Sequence, residues 1–297
     1  MASNYSTPAA LKQSFDARLR NSNITASQLV GAWHLLTLDR FLCRIFFEPE
    51  SPYLLKGGFG MLARTANARF TKDLDLSLKI SDFEKVISEI TELARRDLRD
   101  YFRFEYRSHS SLAATDSQPD REARRIFFDV SFGGRPEQAI KIDLSVDQVL
   151  PREIKRTPPA GRVLLPGLEV CDYLLYPLEN QIADKVCASL ATYRGVSSSR
   201  IKDFVDLVII LENFQITRGR MWSEIKAEAQ IRSIELGIQY VPPGHWQATY
   251  AKASNSSKMS SEHRDWDSAL DAVSRFVDFA NDTKMTAIWD PAQSRWV

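Results

Sequence analysis

Between Asp73 and Ile80 the chain alternates without a break. Leu74, Leu76, Leu78 and Ile80 are apolar, and Asp73, Asp75, Ser77 and Lys79 stand between them. A period of two is the pattern of a strand with one face in a core and the other toward solvent. The chain must therefore build a sheet, and Asp73 and Asp75 share its open face. Two carboxylates two residues apart on such a face make a site for a hard divalent cation such as Mg2+ or Mn2+. Upstream, Tyr53-Leu54-Leu55 reads as a short strand running into Lys56-Gly57-Gly58. Paired glycines let the backbone turn sharply and approach a ligand closely. Phe59 to Arg64 then has helical composition, so strand, glycine turn and helix start together aim backbone N–H groups at a phosphate.

The rest of the first half supplies elements around this stretch. Leu11, Phe15 and Leu19 recur every four positions and predict a short helix after a frayed start over residues 1–7. Asn21 to Ser27 is a polar break, and Thr25 or Ser27 can cap a longer helix through Phe47. Ser81-Asp-Phe-Glu84 is a capping-box pattern for the next helix. Tyr101 to Arg107 reads as a strand, His109 to Asp120 as a mobile loop, and Ile126 to Phe132 as a second strand. Gly133-Gly134-Arg135-Pro136 is a turn, and the alternation from Ile140 to Val146 completes an antiparallel hairpin. Asp143, on that last strand, is either a solvent-facing residue or a third carboxylate beside Asp73 and Asp75. Thr71 lies two positions before Asp73, which puts its hydroxyl on the same face.

Pro151 to Gly167 holds four prolines and little periodicity, so a domain boundary is placed there, dividing 1–155 from 156–297. Beyond it the chain reads as mainly helical. Leu178, Ile182, Val186 and Leu190 form one stripe with Lys185 at its edge, after Pro177 in a first-turn position. Ile201, Phe204, Val205, Val208 and Leu211 form the next, with Lys202, Asp203 and Asp206 on the polar side. Met221 to Leu236 predicts a helix, Ala253 to Glu262 a flexible loop, and Trp266 to Ala280 a last helix.

In this order the motifs resemble the polymerase-β-type nucleotidyltransferases, and in particular the AbiEii/AbiGii-like toxins of bacterial toxin–antitoxin pairs. That family has a Gly-Gly or Gly-Ser turn, a spacer and Asp-x-Asp on a strand, here Gly57-Gly58 and Asp73-Leu74-Asp75. Its later motifs, A-x-K and [KR]-D-x-x-D-L, are matched by Ala183-Asp184-Lys185 and Lys202-Asp203-Phe-Val-Asp206-Leu207. The resemblance implies an α+β fold: a polymerase-β-like domain with a mixed sheet, then a mainly helical domain. It implies a metal-dependent nucleotidyltransferase toxin. Asp73, Asp75 and Asp143 would hold Mg2+ or Mn2+. Lys56, Gly57, Gly58 and Lys185 would meet the triphosphate of an NTP, and Asp203 would support catalysis by positioning Lys185 or a nucleophile. The implied acceptor is RNA, the 3′ end of tRNA, so that translation and growth stop. A cognate antitoxin would neutralise the toxin, and Thr71 is the position at which phosphorylation would switch it off.

Composition narrows the alternatives. A net charge of +1 excludes a chain that binds nucleic acid through its overall field, so RNA contacts must come from local patches. The arginines at 95, 96, 99, 103, 107, 121, 124 and 125 interleave with aromatic residues, either as a solvated face over core aromatics or as a patch tracking an RNA backbone. Cys43, Cys171 and Cys187 have no CxxC spacing, which fits buried thiols in a reducing compartment. Without a bilayer-length apolar run or a signal-peptide core, a cytoplasmic location is expected. Two other functions remain open. Carboxylate clusters also serve metal-dependent nucleases, and a nucleotidyltransferase fold without activity can act as a binding module. The glycine turn and the lysine favour a bound triphosphate over the nuclease.

Overall fold

The computed structural model describes residues 5–20, 25–78, 82–112, 123–146, 151, 154–193, 195–237, 239–277 and 285–297. The chain forms two compact units. Among the described residues the first holds 5–64, 71–112 and 123–175, and the second holds 65–70 and 176–297.

The first unit begins with helices α1 (Pro8–Arg20) and α2 (Ala26–Ile45). Thr25 caps α2 in a full capping box. Its hydroxyl accepts from the Gln28 N–H at 3.3 Å, and the Gln28 side chain accepts from the Thr25 N–H at 2.7 Å. Strand β1 (Leu54–Lys56) runs directly into helix α3 (Gly57–Arg64), followed by β2 (Leu74–Leu78) and α4 (Phe83–Ala94). The cap of α4 is Asp82, whose carboxylate accepts from the Lys85 N–H at 3.2 Å. Ser81, the expected cap, lies outside the described residues, as do Lys79 and Ile80. Strands β3 (Phe102–Ser111), β4 (Ala123–Phe132), β5 (Arg135–Val146), β6 (Lys155–Thr157) and β7 (Tyr173–Leu175) complete the unit.

These strands make one mixed sheet in the order β3-β4-β5-β2-β1-β7-β6. The β4–β5 hairpin turns at Gly133-Gly134 as expected, and β5 lies parallel to β2. Leu74, Leu76, Leu78, Ile126, Phe128, Ile140, Ile142 and Leu144 are buried on one face. Helix α2 lies against them, with Phe41 packed at 5.2 Å from Phe128 and 5.3 Å from Phe104. Each fully buried side chain of this kind contributes about 1.5–3 kcal/mol relative to exposure. The unit also buries charge. Arg40 and Arg44 of α2 converge on Asp100, with contacts of 2.7 Å from each. Burial pushes the Asp100 carboxyl up, and Arg44 and Arg40 more than reverse it, so its pKa falls below the ordinary range.

Two readings of this half are corrected. His109 to Ser111, taken as the start of a loop, continue β3 and pair with Ile126, Arg125 and Arg124. Strand β3 is the edge of the sheet, where polar residues belong and loop-like composition misleads. Residues 113–120 of that expected loop lie outside the described residues. The proline-rich stretch is not a bare linker, because β6 and β7 join the sheet and the first unit runs to Leu175. Arg156 ties the stretch down by donating to the carbonyls of Phe46, Pro49 and Asp172 at 2.7–3.1 Å.

The second unit is mainly helical: α5 (Leu178–Leu190), a small hairpin of β8 (Thr192–Tyr193) and β9 (Val196–Ser197), then α6 (Ile201–Asn213), α7 (Arg218–Ile231), α8 (Gln247–Ser254) and α9 (Trp266–Val277). A last hairpin pairs β10 (Trp289–Asp290) with β11 (Arg295–Trp296). Helix α6 is central, with every side chain from Asp203 to Leu211 buried. The expected loop over Ala253–Glu262 is anchored rather than loose. Ser257 and Met259 are buried, and the Ser260 N–H donates to Glu212 at 3.0 Å. Helix α7 starts earlier and ends earlier than the expected 221–236, and residue 280 of the expected last helix is outside the described residues.

Candidate active site

In the first unit the sheet register assembles a line of charge. Lys56 on β1 faces Asp75 on β2, Asp75 faces Asp143 on β5, and Asp143 faces Arg125 on β4. Side chains directly opposite in register share a face, so a cation, two carboxylates and a cation cross four adjacent strands on the side away from the apolar core. Asp143 thus stands beside Asp75, as a neighbouring-strand arrangement requires. Asp73 lies just before β2 and is ion-paired with Lys141 at 3.1 Å.

Gly57 explains why the glycine turn precedes this row. Its φ is +63°, in the left-handed region. A Cβ built there would stand 1.9 Å from Asp75 Oδ2. Only a residue without a side chain lets the start of α3 approach that carboxylate. Gly58 follows as a buried residue of α3. His34, on α2, is buried and lies 3.2 Å from the Lys72 carbonyl through Nε2, which supports the backbone leading to Asp73. Burial lowers its pKa, so the ring is held neutral. Thr71 also precedes β2, and its hydroxyl accepts from the Asp73 N–H at 3.5 Å.

The third expected ligand is already engaged. Arg125 grips Asp143 with both arms of its guanidinium, Nε to Oδ1 and Nη2 to Oδ2, each at 2.7 Å. The hydrogen bond to Asp143 raises the Arg125 pKa, partial burial opposes this, and the charges of Asp143, Asp73 and Asp75 add to it. Among the described residues no three carboxylate, histidine or cysteine side chains are arranged to hold one cation. The donor chemistry of Asp73 and Asp75 suits a hard divalent ion, and both lie on the open face. Asp143 is turned to Arg125 instead.

Lys185 and Asp203 come together in the second unit, in a setting the sequence reading missed. Lys185, expected at the edge of the apolar stripe, is fully enclosed. Its amine donates to Asp206 at 2.6 Å and to Asp203 at 3.2 Å. Asp203 and Asp206, expected on a polar side, are buried because they are paired. Arg69 meets Asp206 at 3.0 Å, and Arg200 meets Asp203 from one turn away. Burial lowers the Lys185 pKa, Asp206 and Asp203 more than restore it, and the amine stays charged. For Asp203 burial acts upward, Arg200 and Lys185 outweigh it, and the carboxyl lies well below its usual range.

Several arginines of the basic stretch are held in surface pairs. Arg95 pairs with Glu92, Arg96 with Glu48 and Arg107 with Asp129, at 2.7–3.0 Å. Arg124 lies over the Phe83 ring at 4.4 Å. Phe102, Phe104 and Phe128 are core residues and offer no face to a base. Arg121 lies outside the described residues. Cys43, Cys171 and Cys187 are buried free thiols.

Comparison with known proteins decides the family. The model of the nucleotidyl transferase AbiEii toxin family, a type IV toxin–antitoxin system, matches residues 40–282. The chain belongs to this family. It is therefore an AbiEii nucleotidyltransferase toxin, with the α+β fold of that group. Among solved structures it is similar to the MenT4 nucleotidyltransferase toxin of Mycobacterium tuberculosis, at 17% identity over 74% of this chain and 68% of the other, TM-score 0.49. JHP933 from Helicobacter pylori aligns at 14% identity over 70% of this chain and 76% of the other, TM-score 0.40. No curated protein sequence matches the chain. Among the described residues no helix is long and apolar enough to cross a membrane.

Proposed function

We propose that this AbiEii toxin transfers a nucleotidyl group from an NTP to an RNA acceptor, the 3′ end of tRNA, with a divalent cation held by Asp73 and Asp75. Asp143 is the third carboxylate of that site. The observation that carries the reading is the row Lys56–Asp75–Asp143–Arg125 with Gly57 closed against Asp75. In the transfer, an acceptor hydroxyl oxygen bonds to the α-phosphorus as the bond to the β-phosphate oxygen breaks, and pyrophosphate leaves. A bound Mg2+ or Mn2+ would supply charge neutralisation of the triphosphate and of the attacking oxygen. The chain's own groups bind and orient. The N–H groups at the start of α3 and the Lys56 amine attract phosphate oxygens. By the family resemblance the Lys185 amine, which donates to Asp203 and Asp206, would meet the transferring phosphate, with Asp203 as its positioning residue.

Arrest of translation in the cytoplasm follows from a modified tRNA 3′ end, and a cognate antitoxin would hold the enzyme in check. Thr71 is the proposed position of inhibitory phosphorylation, since its hydroxyl already lies beside the Asp73 backbone. The test is purified protein with total RNA, Mg2+ and each labelled NTP in turn. A lengthened, labelled RNA supports transfer to RNA and its mobility identifies tRNA. Fragments would indicate a nuclease. Absence of both, with no Mg2+-dependent NTP binding in calorimetry, would indicate an inactive binding module.

A further inference from the structure

Asp143 lies on the open face beside Asp75, but both of its oxygens are engaged. Its two oxygens are both occupied by Arg125, in the fork geometry that makes arginine–carboxylate pairs strong and directional. The pair is only partly open to water, with side-chain exposures of 32% for Arg125 and 23% for Asp143, so solvent screens it less than a surface pair. Arg125 is also within electrostatic reach of Asp73 and Asp75. The guanidinium therefore holds both Asp143 oxygens that a cation shared by the three carboxylates would need. Lys141 stands in the same relation to Asp73, but with both side chains about 40% exposed and through a single point charge.

We propose that Arg125 is a latch on Asp143, a positioning residue that keeps the third carboxylate from a cation until a triphosphate offers the guanidinium another anion. The inference rests on the reading of Asp73, Asp75 and Asp143 as a cation site. Its consequence is ordered loading. A cation alone meets two carboxylates and a competing arginine. A cation with a triphosphate meets three carboxylates, because phosphate oxygens accept the same two-pronged bond that Asp143 gives up. Cation and nucleotide affinities are then coupled, each raising the other by the same factor. An empty site stays neutralised, which also avoids three adjacent carboxylates repelling one another.

The test measures Mn2+ binding to the full chain by electron paramagnetic resonance, without nucleotide and with a non-hydrolysable NTP analogue. Arg125→Lys keeps the charge and loses the fork, and Arg125→Gln loses both. The latch predicts that both variants bind Mn2+ without nucleotide about tenfold more tightly than wild type, the factor matching one charge-assisted pair. It also predicts a smaller enhancement by the analogue. In an Asp143→Asn background Arg125→Lys should leave Mn2+ affinity unchanged, which a merely structural role would not produce. If only Arg125→Gln tightens binding, simple charge removal explains the result and the latch is overturned. Weaker binding in both variants would mean that Arg125 presents Asp143 to the cation, and would overturn it as well. Should Arg125→Gln not fold, Arg125→Lys and the Asp143→Asn pair carry the test. Asp75→Asn separates the levels. If it abolishes Mn2+ binding while the arginine variants behave as wild type, the latch alone fails; if it leaves binding intact, the cation site itself is wrong.

Discussion

Gly57→Ala is the most informative single substitution. It imposes two costs that can be told apart. The first is conformational: at φ +63° an alanine is strained, by about 1–2 kcal/mol. The second is steric and local. The new Cβ would lie 1.9 Å from Asp75 Oδ2, 2.5 Å from Cγ and 2.9 Å from Cβ of the same residue. Ordinary contact begins roughly 1.5 Å further out than the shortest of these, so the carboxylate must move by more than an ångström or the start of α3 must back away. A displacement of about 1 Å at a reacting site can cost about 100-fold in rate. Gly134→Ala is the matched control. Its φ is +79° and nothing lies within 4 Å of the added Cβ, so it carries the strain without the clash. Gly134→Ala should lose about 1–2 kcal/mol, a drop of roughly 2–8 °C in melting temperature for a unit of this size, and Gly57→Ala at least as much. Only Gly57→Ala should lose nucleotide transfer, by about 100-fold or more, and Mn2+ binding with it. If Gly57→Ala transfers at the wild-type rate, Asp75 does not need the space that Gly57 leaves, and the site is misread.

Asp73→Asn and Asp75→Asn should each abolish transfer with little change in melting, because both side chains face away from the core; wild-type turnover in either would refute their role. Lys185→Met should cost about 3–5 kcal/mol in urea unfolding, since it leaves Asp206 and Asp203 buried with one cation fewer; a change under about 1 kcal/mol would show the pair to be dispensable. The Asp203 pKa is depressed by folding, so its contribution to stability is present above the unfolded value of about 3.9 and is lost as pH falls below it. Unfolding followed from pH 7 to pH 3 should therefore show a shallower acid decline for Asp203→Asn than for wild type, and equal slopes would contradict the assignment. Thr71→Glu should inhibit transfer while Thr71→Val does not, and a fully active glutamate variant would remove the case for a phosphate switch at that position.

Much of the first unit was legible because its strands alternate cleanly. Leu74 to Leu78 and Ile140 to Val146 announce a shared buried face, and that face is what places Asp75 opposite Asp143. The glycine turn was legible as a turn, but its purpose was not. Nothing local in Lys56-Gly57-Gly58 says that the space left by Gly57 is filled by Asp75 from another strand. The second unit was legible in its helices and misleading in its charges. Hydrophobic periodicity puts Asp203 and Asp206 on the polar side of their helix, and Lys185 at the edge of its apolar stripe, because it counts a charged residue as exposed. Their mutual pairing, with Arg69 brought in from far upstream in the chain, makes burial tolerable instead.

Arg125 was visible in the sequence only as one member of a basic stretch, and the reason lies in the hairpin. A turn of two residues at Gly133-Gly134 sets Phe132 opposite Arg135. Continued without interruption, that register would bring Arg125 against Ile142 and leave Asp143 facing Arg124. It would also oppose the buried even-numbered residues of β4 to the exposed odd-numbered residues of β5. The structure removes the conflict with a bulge: between the pairs Val130–Glu137 and Phe128–Ile140, Gln138 and Ala139 together oppose Asp129. One extra residue shifts every later pair by one, so Ile126 meets Ile142 in the core and Arg125 meets Asp143 on the open face. The parity clash between a two-residue turn and two strands that both bury their even positions was present in the sequence. Followed through, it requires a bulge somewhere between the turn and Ile140. The same step that aligns the core thus delivers a guanidinium to the third carboxylate.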